Sequence, residues 1–132
     1  MGMYTEFHFN AELLPNNSVA EVLKYMLDNS HPLPIKPKHQ LFSTGGWGWM
    51  LTCDSYYFDA DTHSTLRWDD MSQAHILCIR CNLKNYDKEI QKFIDWIDPY
   101  LNKHKGEFLG FYRYEETEIP TLIYAHVKEK ND

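Results

Sequence analysis

From Tyr4 to Leu13 the chain alternates, with Thr5, Phe7, Phe9, Ala11 and Leu13 on one side and Tyr4, Glu6, His8 and Asn10 on the other. A period of two marks a strand with one face buried. Pro15, Asn16 and Asn17 then punctuate, and Ser18 with Glu21 three residues later reads as a capping box. Val19, Val22, Leu23, Met26 and Leu27 follow at helical spacing, so the pattern predicts a helix over Ser18–Asn29. Ser30–Gln40 holds Pro32, Pro34 and Pro37, which fix backbone angles and remove donors, and it reads as an extended surface connection. Beyond Gly45 and Gly46, the residues Trp47, Trp49, Leu51 and Cys53 alternate with Met50, Thr52 and Asp54. This predicts a strand over Trp47–Phe58, a turn at Asp59–Thr62 and a partner strand at Ser64–Asp69.

His75–Leu83 alternates most clearly: His75, Leu77, Ile79, Cys81 and Leu83 face one way, and Ile76, Cys78, Arg80 and Asn82 the other. It is the best candidate for a central strand. Asn85 suits a cap, Asp87 and Glu89 put negative charge in a first helical turn, and Ile90, Phe93, Ile94, Ile97 and Leu101 make a second stripe. Pro99 must end or kink that helix. Glu107–Glu115 and Thr121–Lys128 complete the chain as strands. The expected fold is one α+β domain over residues 1–132: a single mixed or antiparallel sheet in the order β-α-β-β-β-α-β-β, with two helices on one face. That is an extended ferredoxin-like, or split βαβ, plan.

Alternation sorts the strand residues between two sheet faces. The apolar set Phe7, Phe9, Leu77, Ile79, Leu109, Phe111, Ile123, Ala125 and Val127 belongs under the helices. The opposite face collects Tyr4, Glu6, His8, Asn10, Cys78, Arg80, Asn82, Tyr112, Tyr114, Tyr124 and His126, with Arg67 joining from the hairpin. Aromatic bodies with hydrogen-bonding tips beside a guanidinium suit a small-molecule pocket or an interface centre. The same residues also suit an ordinary sheet face covered by the long loop, or a homodimer interface.

Composition narrows the function classes. The 132 residues include nine Tyr, seven Phe and four Trp, with a net charge of −6. An acidic chain without a dense Lys/Arg footprint argues against nucleic acid as a partner. The first residues lack the basic and apolar regions of a secretory signal, and no apolar run approaches the roughly 20 residues of a membrane span. Three cysteines are an odd count, awkward for a disulfide framework, and point to a reducing cytoplasm.

The chemical motifs are weak. Cys78-Ile79-Arg80-Cys81 has C-x-x-C spacing, but in a strand its sulfurs point to opposite faces. Asp59, Asp61 and His63, near Asp54, have metal-ligand chemistry but also suit a tight turn. Gly45-Gly46-Trp47-Gly48-Trp49 lacks the Lys and Ser/Thr of a phosphate-binding loop. Cys78 with His8 or His126 and Glu6 would make a nucleophile, base and acid only if their strands were neighbours. No cofactor is expected.

Two stretches, Met50-Leu-Thr-Cys-Asp-Ser-Tyr-Tyr-Phe58 running on to Thr62-His-Ser-Thr-Leu66, and Phe108-Leu-Gly-Phe-Tyr-Arg-Tyr-Glu-Glu116, carry a resemblance. They are similar to a family of small bacterial and phage-associated proteins of unknown function, over nearly the whole chain. That resemblance implies no activity and transfers no catalytic residue. The reading is therefore a non-enzymatic binding protein using His8, Arg80, Tyr112, Tyr114 and Tyr124, in which Arg80 clamps an anionic group and the tyrosines stack. Its partner is a small polar or anionic molecule or a protein. The alternatives are a small hydrolase or metal-assisted enzyme, using His63 with Asp59 and Asp61 or His8 with Glu6, and an interaction protein in phage or host conflict.

Overall fold

A computed structural model describes residues 4–32, 35–54 and 62–127. Its elements are β1 (Thr5–Glu12), α1 (Asn17–Leu27), β2 (Thr65–Asp69), β3 (Ala74–Leu83), α2 (Glu89–Ile97), β4 (Phe108–Tyr114) and β5 (Thr121–Tyr124), with short 3-10 turns at Gln40–Ser43, Met50–Thr52 and Asp98–Tyr100. The strands form one open antiparallel sheet in the order β2-β3-β1-β4-β5. β1 and β3 carry the clearest period-two patterns, and each has a strand on both sides. Both helices bury their stripes in one core. Phe93 of α2 meets Phe7 and Phe9 edge-on at 5.9 and 6.0 Å between ring centroids, while Val22, Leu23 and Met26 of α1 join Leu77 and Ile79 in the same cluster.

The helix ends are set by side chains that satisfy orphan backbone groups. α1 starts one residue before the expected Ser18, because Asn16, in an extended conformation, accepts the Val19 N–H at 3.1 Å. Ser18 is therefore not the cap, and Glu21 pairs outward with Lys24 at 3.5 Å instead of closing a capping box. At α2, Asn85 Oδ1 accepts the Ile90 N–H at 2.8 Å, and the helix gives way to a 3-10 turn at Pro99, as the missing donor requires.

One expected strand is absent. Residues 47–54 of the predicted Trp47–Phe58 strand form turns and the Met50–Thr52 3-10 helix, and Trp47, Met50 and Leu51 are all buried. Adjacent buried residues at 50 and 51 cannot share one face of a strand, and the spacing 47, 50, 51 is helical. Residues 55–58, like Asp59 and Asp61 of the expected turn, lie outside the described residues. β2 instead forms its hairpin with β3, pairing Trp68 with His75. The described residues thus hold five strands in place of six.

The strand β4 carries the feature that matters most for the surface. The β4–β5 register shifts between Phe108 and Gly110, and Gly110 has φ +156° with its Cα against the His8 carbonyl. An inserted residue slips the alternation by one. Leu109 stays in the core, but Phe111 pairs with His8 on the uncovered face, whereas Tyr112 pairs with Phe7 and Tyr114 with Thr5 on the helix side. The expected faces of Phe111, Tyr112 and Tyr114 are therefore reversed. Val127, also expected in the core, is 38% exposed.

Candidate functional site

The five residues singled out from the sequence divide between two surfaces. His8, Arg80 and Tyr124 project from the uncovered sheet face, where His8 and Arg80 are directly cross-strand. Tyr112 and Tyr114 line a cleft on the helix side, between the loop after β3, the start of β1 and the end of β4.

On the uncovered face, a polar network sits beside an apolar strip. Arg113 Nε donates to Glu6 Oε1 at 2.9 Å, and His8 Nε2 lies 3.4 Å from Glu6 Oε2, so one carboxylate holds both groups. Glu6 is the most shielded of the three and is fixed by the cross-strand pairs Glu6–Arg113 and Glu6–Asn82. The His8 ring lies flat on Phe111, 4.5 Å between centroids and 13° from parallel. Next to Phe111, Leu122 is 49% exposed, and the neighbouring pair Phe108 and Tyr124 are 54% and 45% exposed with their rings 5.9 Å apart. Sequence reading missed Phe108, Phe111, Arg113 and Leu122 on this face. The available signal was Gly110, a glycine inside a strand pattern.

The cleft has a volume of about 430 Å³. Tyr86, Tyr112 and Tyr114 line it together with Lys84, Lys88 and Arg113. The Lys84 ammonium also lies 5.8 Å from the centre of the Tyr4 ring. Partial desolvation, then the negative charges of Glu116 and Glu115, pushes the Tyr114 phenol above its ordinary range, so it remains a neutral donor at physiological pH.

Of the catalytic arrangements weighed above, His8 and Glu6 do meet, at 3.4 Å, and Cys78 lies on the neighbouring strand, whereas Asp59 and Asp61, the expected partners of His63, lie outside the described residues. Cys81 is buried beside Phe7 while Cys78 pairs with Asn10 on the opposite face, which separates the two sulfurs of the C-x-x-C spacing. Burial pushes the Cys81 thiol far up and the half-buried Cys53 thiol up, the reverse of an activated nucleophile. His126 lies beyond β5, its backbone N–H held by Asp98, so it does not join Cys78 and His8. The His63 N–H donates to the Arg80 carbonyl at 2.7 Å, continuing the pairing along the edge of β3. No group of three His, Cys, Asp or Glu side chains among the described residues could hold a metal ion, and no helix among them is long and apolar enough to cross a membrane.

Fold and surfaces together define an α+β protein with one sheet face covered by both helices and a second face that no helix among the described residues covers. Compared with protein-family models, curated proteins and solved structures, the chain matches none.

Proposed function

We propose that this chain is a non-enzymatic interaction module whose second sheet face, which no described helix covers, docks a protein partner. The observation that carries this reading is the contiguous strip of Phe108, Leu122 and Tyr124, each about half exposed, beside the cross-strand pair His8 and Arg80. Interface centres favour aromatic residues and Arg in such a setting, with hydrogen-bonding groups alongside that fix orientation. Holding that much apolar surface in water is unfavourable by roughly 25 cal/mol per Å², a cost that docking removes. His8 and Arg80 form the polar half of the surface and Tyr124 its aromatic anchor, while Tyr112 and Tyr114 play no part in it. We read the scaffold as ferredoxin-like: the antiparallel order β2-β3-β1-β4 supports a pair of interlocked split βαβ units, with β5 added at one edge.

A photo-reactive phenylalanine analogue incorporated at Leu122, in cells that make the protein, tests the reading. One discrete protein adduct is expected from position 122 and none from Glu21 on the outer face of α1. The same adducts from both positions, or none from either, would sink the proposal. An adduct of twice the chain mass would identify the partner as a second copy.

A further inference from the structure

We propose that Cys53 and Cys81 form a redox-sensitive pair on the helix side of the sheet, in which Cys53 meets the oxidant and Cys81 closes a disulfide with it. The observation that carries this is where the backbone puts Cys53. Its carbonyl accepts two hydrogen bonds, from the Asn82 N–H of β3 at 3.1 Å and from Thr62 Oγ1 at 2.7 Å. The first bond holds Cys53 against β3 one residue from Cys81. Cα atoms that flank such a bond between neighbouring segments lie about 5–6 Å apart, inside the range of about 4.4–6.8 Å that a disulfide spans. Both side chains belong to the helix side: Cys81 is part of the core, Cys53 packs against that core, and the charge of a Cys53 thiolate reaches Cys81. Cys78, the other half of the C-x-x-C spacing, pairs with Asn10 on the opposite face. The fold thus offers Cys81 a partner remote in sequence in place of the near one.

Access assigns the two roles. Cys53 is half-buried and lines a hollow of about 270 Å³ together with Trp49, Leu83 and Glu89, whereas Cys81 is 1% exposed. A small oxidant such as hydrogen peroxide enters the hollow and meets Cys53 first. The Cys53 thiolate attacks one peroxide oxygen, the O–O bond breaks, hydroxide leaves, and Cys53 becomes a sulfenic acid. The Cys81 sulfur, giving up its proton, then attacks the Cys53 sulfur, the S–O bond breaks, and the departing oxygen leaves as water. In sum two thiols and one peroxide become one disulfide and two waters, with two electrons passing from sulfur to oxygen. Burial, and then the negative charge of Glu89, raise the Cys53 thiol, so its thiolate is scarce at neutral pH. The pair therefore records sustained exposure to oxidant and does not turn over as a catalyst. Closing the bond ties the Met50–Thr52 turn, which leads directly into Cys53, to β3, and a dithiol reductant reopens it.

Neither cysteine lies on the sheet face proposed to dock a partner, so the pair and that reading can fail separately. The test is to expose the reduced full chain to hydrogen peroxide, block the remaining thiols with N-ethylmaleimide in urea, and map the unreduced digest by mass spectrometry. A peptide pair joined through Cys53 and Cys81 is expected, with Cys78 blocked and the bond reversed by dithiothreitol. Cys78→Ser is expected to form the bond at the parent rate and Cys53→Ser to form no disulfide within the chain. The oxidised chain should unfold at higher urea than the reduced one, because the bond constrains the unfolded state. The rate should rise about tenfold between about pH 7 and pH 8, following the thiolate fraction of Cys53. Oxidation carried out in urea should scatter the bond among all pairings, Cys78 with Cys81 included, since only the fold selects the remote partner. A native disulfide that contains Cys78, oxidation of Cys53 to the sulfinic acid with Cys81 still blocked by maleimide, or three free thiols after prolonged exposure overturns the proposal. A rate indifferent to pH overturns it too, as does the same pairing with and without urea.

Discussion

Replacing Gly110 by alanine probes the device that sorts the two surfaces. A methyl group built on Gly110 runs into the His8 carbonyl oxygen, with the His8 carbonyl carbon at 2.8 Å and Phe9 Cα at 3.0 Å. All three are backbone atoms of β1, which has a strand on each side and cannot swing away. The φ of +156° adds about 1–3 kcal/mol for a residue with a Cβ. Relieving the clash means opening β4 from β1 around the Phe9–Gly110 pair, which forfeits two or so ladder bonds at about 0.5–1.5 kcal/mol each. The expected loss is therefore about 3–5 kcal/mol, a large part of the roughly 5–15 kcal/mol that stabilises a domain. With a urea slope near 2 kcal/mol/M, the unfolding midpoint should fall by about 1.5–2.5 M. Gly106→Ala is the control. Gly106 also has positive φ, +91°, but nothing lies within 4 Å of the added methyl, so only the conformational cost of about 1–2 kcal/mol is expected. Equal midpoints for the two variants, or a Gly110→Ala loss under about 1 kcal/mol, would refute the steric reasoning. Deleting Gly110 is no rescue, because the one-residue slip would set Arg113 opposite Phe7 in the core.

Asp98 is 1% exposed, and its Oδ1 accepts the backbone N–H groups of His126 at 2.9 Å and Val127 at 3.2 Å, tying the chain beyond β5 to the end of α2. Asp98→Ala orphans both donors and should cost about 2–4 kcal/mol in denaturant unfolding, whereas Asp98→Asn keeps an acceptor and should cost about half of that; equal losses would contradict this account. Burial first, and then the charge of a Cys53 thiolate, holds the Cys81 thiol far above the 9.0 of an exposed one. The folded state therefore keeps a proton that the unfolded chain releases above about pH 9, so this contribution to stability is constant below pH 9 and declines above it. The fall in unfolding midpoint between about pH 8 and pH 10 should be steeper in the parent than in Cys81→Ala, and parallel slopes would disprove it.

How far the sequence carried can be argued from particular elements. The alternation of β1 and β3 survived intact, because side chains on a regular strand must alternate whatever lies beside it. The stripes of α1 and α2 and the stop at Pro99 are equally local properties. Residues 47–54 misled because Trp47, Trp49, Leu51 and Cys53 alternate on paper, while the core took Trp47, Met50 and Leu51 together. His8 and Arg80 were assigned to the same face from alternation alone, and the β1–β3 register makes them neighbours.

The local pattern, then, determined that β1 and β3 are strands and α1 and α2 helices, which side of β1 and β3 is apolar, and which residue types could form a site. It could not determine which of those residues meet. Tyr112 and Tyr114 left the face shared by His8 and Arg80 because one inserted residue at Gly110 reversed the alternation of β4, and the insertion exists only relative to the pairing partner β5. The cleft likewise unites Lys84 and Lys88 with Thr5 and with Tyr112 and Tyr114, segments far apart along the chain. Which strand lies beside which is decided by burying one common core, and that is a free energy of the whole chain, invisible in any single window of it.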